Sequence, residues 1–163
     1  MTRVGIGFDS HPLVPDRRLV LGGVLIPYPL GLRGNSDADA LCHALADALL
    51  GAAGLGDIGA HFPPEDPRYR DADSIGLLRS VYSLVQAHGL RLGNADATIY
   101  ADAPRLSPYR EAMCHNLATA LGIPAERVNV KFKTLEGLGP FSGTQAIAVH
   151  AVVALEPHDA ADH

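Results

Sequence analysis

Lysine is scarce in this chain of 163 residues: Lys131 and Lys133 are the only two, and arginine supplies the remaining positive charge. The formal net charge is -5, spread without long blocks of one sign, which argues against nucleic acid as the main partner. Cysteine is equally sparse. Cys42 and Cys114 fall in separate predicted helices and read as reduced, packed thiols rather than a disulfide or a metal pair. No apolar run approaches the ~20 residues of a membrane span, and Asp47 interrupts the longest apolar helix, so no membrane partner is expected. Met1-Thr2-Arg3 leads straight into a strand pattern with no leader core, so a cytoplasmic protein is expected. Internal repeats, low-complexity tracts and linkers are absent too. The length suits one catalytic domain, residues 1–156, followed by a polar, frayed tail, 157–163.

The stretch from Asn35 to Gly59 organises the rest. Ser36 reads as an N-cap with Asp39 three residues on, the capping-box spacing, and Leu41, Ala44, Leu45, Ala48, Leu49 and Ala52 recur at helical spacing. Asp39, His43 and Asp47 then share the opposite, polar face. A histidine on a polar helix face is ordinarily a solvated side chain, so His43 needs a second stretch to meet it. Val4, Ile6 and Phe8 alternate with Gly5, Gly7 and Asp9, the period of a half-buried strand. Asp9 and His11 lie on one face of that strand, and Gly5 and Gly7 leave the same face bare for a close approach. One carboxylate and two imidazoles make a three-ligand set with an open fourth position, the arrangement of catalytic zinc sites.

Gly22-Gly23, flanked by Arg18 to Leu21 and Val24 to Ile26, marks a hairpin. Residues 30–35 form a loop. After Gly54, Gly56 and Gly59, the proline-marked stretch from His61 to Asp73 reads as a functional flap. A second helix is capped by Ser74, carries Leu77, Leu78, Val81, Leu84 and Val85, and ends at His88-Gly89. A strand spans about Leu92 to Ala101. A third helix starts at Ser107-Pro108 and stops at Gly122, and strands follow over Arg127–Lys133 and Gln145–Leu155. That order fits an α/β (α+β) fold, a mixed sheet with helices packed on one face. The final strand is apolar on nearly both faces, so a partner subunit is the simplest cover for the bare sheet face. Lys131 and Lys133 share one strand face just before Thr134 and Glu136, a local concentration of positive charge suited to a phosphorylated substrate.

These segments together resemble the 2-C-methyl-D-erythritol 2,4-cyclodiphosphate synthase family. The matching stretches are residues 5–11, Ser36-Asp37 through His43-Ala44-Leu45, residues 47–50, residues 54–59, Gly93-Asn94, Ala103-Pro104-Arg105 and residues 133–139. The resemblance runs from about residue 3 to residue 155. It implies a homotrimer, with sheets facing a central axis and active sites between neighbours.

The implied substrate is 4-diphosphocytidyl-2-C-methyl-D-erythritol 2-phosphate, whose 2-phosphate attacks its own β-phosphate and releases CMP. Zinc on Asp9, His11 and His43, and a second divalent cation, Mg²⁺ or Mn²⁺, on Glu136 would neutralise charge during in-line displacement. Asn35 and Thr134 carry the implied catalytic roles. Ser36 and Asp57 would hold the methylerythritol, aided by Ser10, Ile58, Gly59, Phe62 and Asp66. Ala101, Asp102, Ala103, Pro104, Arg105 and Leu106 would hold the cytidine and a phosphate, beside Lys133 and Leu135.

Three positions depart from the family pattern. Asn35 stands where a histidine is usual, Pro64 where an aspartate is usual, and Gly143-Thr144-Gln145 lacks the usual arginine and acidic residue; Lys133 can replace that lost charge. Two other readings remain open. One is a binding protein that holds a nucleotide or isoprenoid diphosphate without turning it over, which Asn35 favours. The other is a zinc hydrolase with Asp39 or Asp57 as base.

Overall fold

The computed structural model describes residues 1–138 and 145–158. Gly139 of the family-like motif, the Gly143-Thr144 departure and the tail from Asp159 onward lie outside the described residues. The elements are β1 (Arg3–Val14), β2 (Leu19–Leu21), β3 (Val24–Ile26), β4 (Gly31–Leu32), α1 (Ala40–Ala53), α2 (Ile58–His61), α3 (Ser74–Ala87), β5 (Leu90–Tyr100), α4 (Arg110–Leu121), β6 (Val128–Lys133) and β7 (Ala146–Pro157). Five strands form a mixed sheet in the order β4-β1-β7-β5-β6, in which only β5 and β6 run parallel. The last strand in the chain is thus the central one. It runs two residues past the expected Leu155, with Leu90 opposite Pro157. The β2–β3 hairpin turns at Gly22 and Gly23, with φ of 57° and 69°. Positive φ at both turn residues is the geometry that two glycines adopt without strain.

The helices cover one face of the sheet, and α1 lies against β1 and β7. Glycine decides how close it comes. A Cβ on Gly5 would lie 2.0 Å from the Ala48 carbonyl oxygen, and one on Gly7 would lie 1.8 Å from that of Ala44. The bare face of β1 is therefore filled by the backbone of α1, and Ala44, Ala48 and Ala52 are the small residues that permit it.

The cap of α1 differs from the expected one. Asp39, not Ser36, is the N-cap and accepts the Cys42 N–H at 3.1 Å. Nor does Asp39 sit on a polar face. It is 0% exposed, because the β2–β3 turn closes over it and the N–H groups of Gly22 and Gly23 donate to its two oxygens at 2.9 and 2.8 Å. Burial raises its carboxyl pKa, the three backbone donors pull against that rise, and nearby Asp37 adds to it. The open part of α1 is only the seam His43, Asp47, Gly51.

Two other starts also move. Asp73 rather than Ser74 caps α3, and Ser74 is its first residue. Ser107–Tyr109 is a 3-10 turn without a side-chain cap, after which α4 begins at Arg110. Cys42 and Cys114 are free and buried, as expected. Among the described residues no helix is long and apolar enough to cross a membrane.

The other sheet face is open. Val4, Ile6, Phe8 and Val152 are 68%, 69%, 41% and 42% exposed, and pairing sets Ile6 beside Val152 and Phe8 beside His150. The Phe8 and Tyr100 rings flank His150 at 4.8 and 5.7 Å between centroids.

Candidate functional site

Close docking of α1 on the glycine face of β1 sets His43 beside the residues that follow those glycines. Asp9 Oδ2 is 2.8 Å from His11 Nε2 and 3.0 Å from His43 Nδ1. The two rings meet edge-on with centroids 5.7 Å apart. One ligand atom from each residue fits within a 4.8 Å span, and among the described residues this is the one group of three or more that could hold a metal ion.

The donor chemistry suits a metal. His11 Nε2 is buried and 2.8 Å from Asp9 Oδ2, yet among the described residues it has no aligned hydrogen-bond partner. Such orphaned polar atoms are rare in folded proteins. Burial opposes ionisation of Asp9, but the His11 and His43 imidazoles more than reverse that and lower its pKa to about 2. Burial likewise disfavours the protonated form of His43, and the Asp9 carboxylate outweighs it, so the His43 pKa is raised. A carboxylate held ionised between two imidazoles offers the mixed oxygen and nitrogen donors that zinc accepts.

A cavity of about 220 Å³ opens beside this group, lined by His11, Asn35, Ser36, His43, Ile58, Gly59, Phe62, Pro64, Tyr69 and Leu77. The flap folds over it through a 3-10 turn at Pro67–Tyr69, and the Phe62 and Tyr69 rings stack edge-on at 5.2 Å. The Asn35 side-chain amide donates to the Pro64 carbonyl, so two positions expected to depart from the family pattern touch each other. Asp47 Oδ1 accepts the Ile58 N–H at 2.8 Å and fixes the start of α2.

A second cavity, of about 200 Å³, lies where β5 and β6 end, among Ile99, Ala101, Asp102, Pro104, Arg105, Leu106, Ser107, Phe132, Lys133 and Thr134. Asp102 Oδ1 accepts the Leu135 N–H at 2.8 Å and ties its two rims together. Lysine charge here is half of that expected. Lys131 is bonded to Asp96 on the neighbouring strand, so among the described residues Lys133 and Arg105 are the cations that line this cavity. Both cavities occupy the same end of the sheet. Register places Asp9, Val149, Ile99 and Phe132 in one row across β1, β7, β5 and β6. At about 4.8 Å per strand, three steps separate the metal group from the second cavity by roughly 14 Å.

Several expected site residues stand apart from both cavities. Ser10 lies on the opposite face of β1 from Asp9. Asp57 caps α2 through a 2.9 Å bond from the Ala60 N–H, and Asp66 is paired with Arg68 at 2.6 Å. Ala103 and Leu135 line neither cavity, and Glu136 is exposed in a turn with φ of 52°. Asp39, a base in the hydrolase reading, is sealed from the site by the hairpin, and Asp57 is occupied as a cap. Tyr69 and Leu77 were not anticipated as lining residues. Tyr69 falls in the proline-marked flap, which was the available signal, whereas Leu77 reads only as one more apolar position of α3.

A family model described as the YgbB family matches residues 2–156. The chain is 60% identical over 158 residues, 97% of each chain, to the 2-C-methyl-D-erythritol 2,4-cyclodiphosphate synthase of Moorella thermoacetica. It is 57% identical over 154 residues, 94% of each chain, to that of Gloeobacter violaceus. A solved structure of 2C-methyl-D-erythritol-2,4-cyclodiphosphate synthase in its CDP-bound form matches at a TM-score of 0.86 and 45% identity, over 94% of this chain and 100% of that one. On fold and sequence alike, the chain belongs to the YgbB family, that of the 2-C-methyl-D-erythritol 2,4-cyclodiphosphate synthases.

Proposed function

We propose that this chain is a phosphorus–oxygen lyase that converts 4-diphosphocytidyl-2-C-methyl-D-erythritol 2-phosphate to 2-C-methyl-D-erythritol 2,4-cyclodiphosphate, with release of CMP, in the non-mevalonate isoprenoid route. The observation that carries it is the Asp9–His11–His43 group beside one cavity, with a second, cationic cavity at the same end of the sheet. The 2-phosphate oxygen forms a bond to the β-phosphorus while the bond from that phosphorus to the CMP oxygen breaks, and the nucleophile is already an anion. Positioning and charge neutralisation are then the main requirements.

Zinc held by Asp9, His11 and His43 would supply positive charge to a phosphate oxygen. Glu136 suits a second divalent ion, Mg²⁺ or Mn²⁺, because such ions bind through one or two carboxylates together with substrate phosphates. Ser36, Ile58, Gly59 and Phe62 bound the space for the methylerythritol. Ala101, Asp102, Pro104, Arg105 and Leu106 bound that for cytidine, with Lys133 and Arg105 facing phosphate and Thr134 donating a hydrogen bond. Purified protein, loaded with zinc and magnesium, is expected to release CMP from this substrate and to lose that activity on chelation until zinc is returned. Substrate binding without CMP release would support the non-catalytic reading instead.

The assembly read here is a homotrimer working in the cytoplasm. Asn35 and Thr134, both assigned to one reaction, line different cavities of one chain, which favours a site completed by a neighbour. The apolar row Val4, Ile6, Phe8 and Val152 supplies a face for that contact, since exposed patches of this kind mark interaction surfaces. Light scattering at micromolar concentration should give three times the chain mass; a monomeric mass would defeat the shared site.

A further inference from the structure

We propose that Ser74 is a positioning residue for His43: with its hydroxyl proton committed to Asp37, it accepts the Nε2–H of His43 and so leaves Nδ1, beside Asp9 and His11, as the nitrogen that a metal can take. The inference rests on reading those three residues as a metal site. Ser74 is the first residue of α3 and is 0% exposed. Its Oγ lies 2.8 Å from His43 Nε2 and also bonds to Asp37 Oδ1.

Proton counting sets the direction of this chain. A carboxylate only accepts, and Asp37 already takes the Ser74 N–H at 3.0 Å on Oδ2 and the Asp39 N–H at 3.1 Å on Oδ1. The single Ser74 hydroxyl proton therefore goes to Asp37. What Ser74 presents to His43 is a lone pair, which a ring nitrogen can meet only with a proton. Ser36 Oγ also approaches His43 Nε2, but at 3.3 Å it is past the usual N–H···O range, and it already accepts the Ala38 N–H at 3.1 Å.

The opposite nitrogen, Nδ1, lies 3.0 Å from Asp9 Oδ2 and, without a metal, donates a proton to that carboxylate; a bound metal would take the place of that proton while the Nε2–H stays on Ser74. A metal-binding imidazole needs its lone pair on the metal side and a fixed donor bond on the other, and outer groups that enforce this orientation are worth about 10–100-fold in metal affinity. The relay has a second consequence. Asp37 anchors Ser74 through main chain and side chain together, so the start of α3 and the ring of His43 are held by one carboxylate.

The test uses full-length protein with zinc as the probe. In the zinc-loaded wild type labelled with ¹⁵N-histidine, NMR should find a slowly exchanging proton on His43 Nε2 and none on Nδ1. Ser74→Ala keeps the N–H that Asp37 accepts. It should weaken zinc binding about 10–100-fold by chelator competition and lose the protected Nε2–H signal. Ser74→Thr restores the hydroxyl and should restore both. A proton on Nδ1 in the zinc-loaded wild type, coordination through Nε2, or Ser74→Ala binding zinc as tightly as wild type would each overturn the proposal while leaving the metal site standing. Wild-type protein that takes up no zinc would remove the metal site and this role with it.

Discussion

Gly7→Ala is expected to pull apart the Asp9–His11–His43 group and to destabilise the chain, although it adds one methyl group far from solvent. The new Cβ would fall 1.8 Å from the Ala44 carbonyl oxygen and 2.8 Å from the Ala48 amide nitrogen. Both are backbone atoms, so no side chain can swing aside; α1 itself must retreat from β1. Overpacking of this kind costs about 1–3 kcal/mol and sometimes more. Retreat also draws His43 away from Asp9 and leaves one carboxylate and one imidazole where three groups met. We expect a lower urea midpoint and less than stoichiometric zinc. Gly51→Ala is the control: its Cβ would find nothing closer than 3.9 Å, and alanine is favoured over glycine inside a helix by about 1 kcal/mol. If Gly7→Ala matched Gly51→Ala in both measurements, the close contact would not be what sets the site.

His43→Ala separates binding from folding. The residue lies off the apolar faces of α1, so its removal leaves their packing intact, but it gives up hydrogen bonds to Asp9 and Ser74 worth about 1 kcal/mol each, and the thermal midpoint of metal-free protein should fall modestly. Zinc affinity, by contrast, should fall by more than the ~100-fold upper range for outer-shell groups, because a direct ligand is lost. CMP release should fall below detection with it. Full zinc occupancy in this variant would exclude His43 as a ligand.

What could be foreseen from residues alone follows a physical line. The hairpin was legible because two adjacent glycines have few other uses between apolar strands. The metal group was legible because strand alternation places Asp9 and His11 together, and because Gly5 and Gly7 announce a close neighbour. Where several elements compete for one residue, the sequence was silent. Asp39 has the spacing of a capping-box acid, yet the hairpin buries it, and only the folded chain brings Gly22 and Gly23 to its oxygens. Lys131 looks like half of a phosphate clamp until Asp96, 35 residues earlier, neutralises it across two parallel strands. Ser74 has the chemistry of a helix cap, but Asp73 takes that place and frees the hydroxyl for His43.

The place of β7 bears on how the chain is made. Asp9, His11 and His43 all belong to the first 43 residues, and the glycine face that joins them needs only β1 and α1. The central strand comes last. During synthesis from the amino terminus, β1 and α1 can dock while the edge of β1 that will face β7 still has open hydrogen-bonding groups. Such an edge invites the wrong strand. For this protein the hazardous interval on the ribosome is therefore the wait for residues 146–157, long after the residues of its candidate metal group have been made.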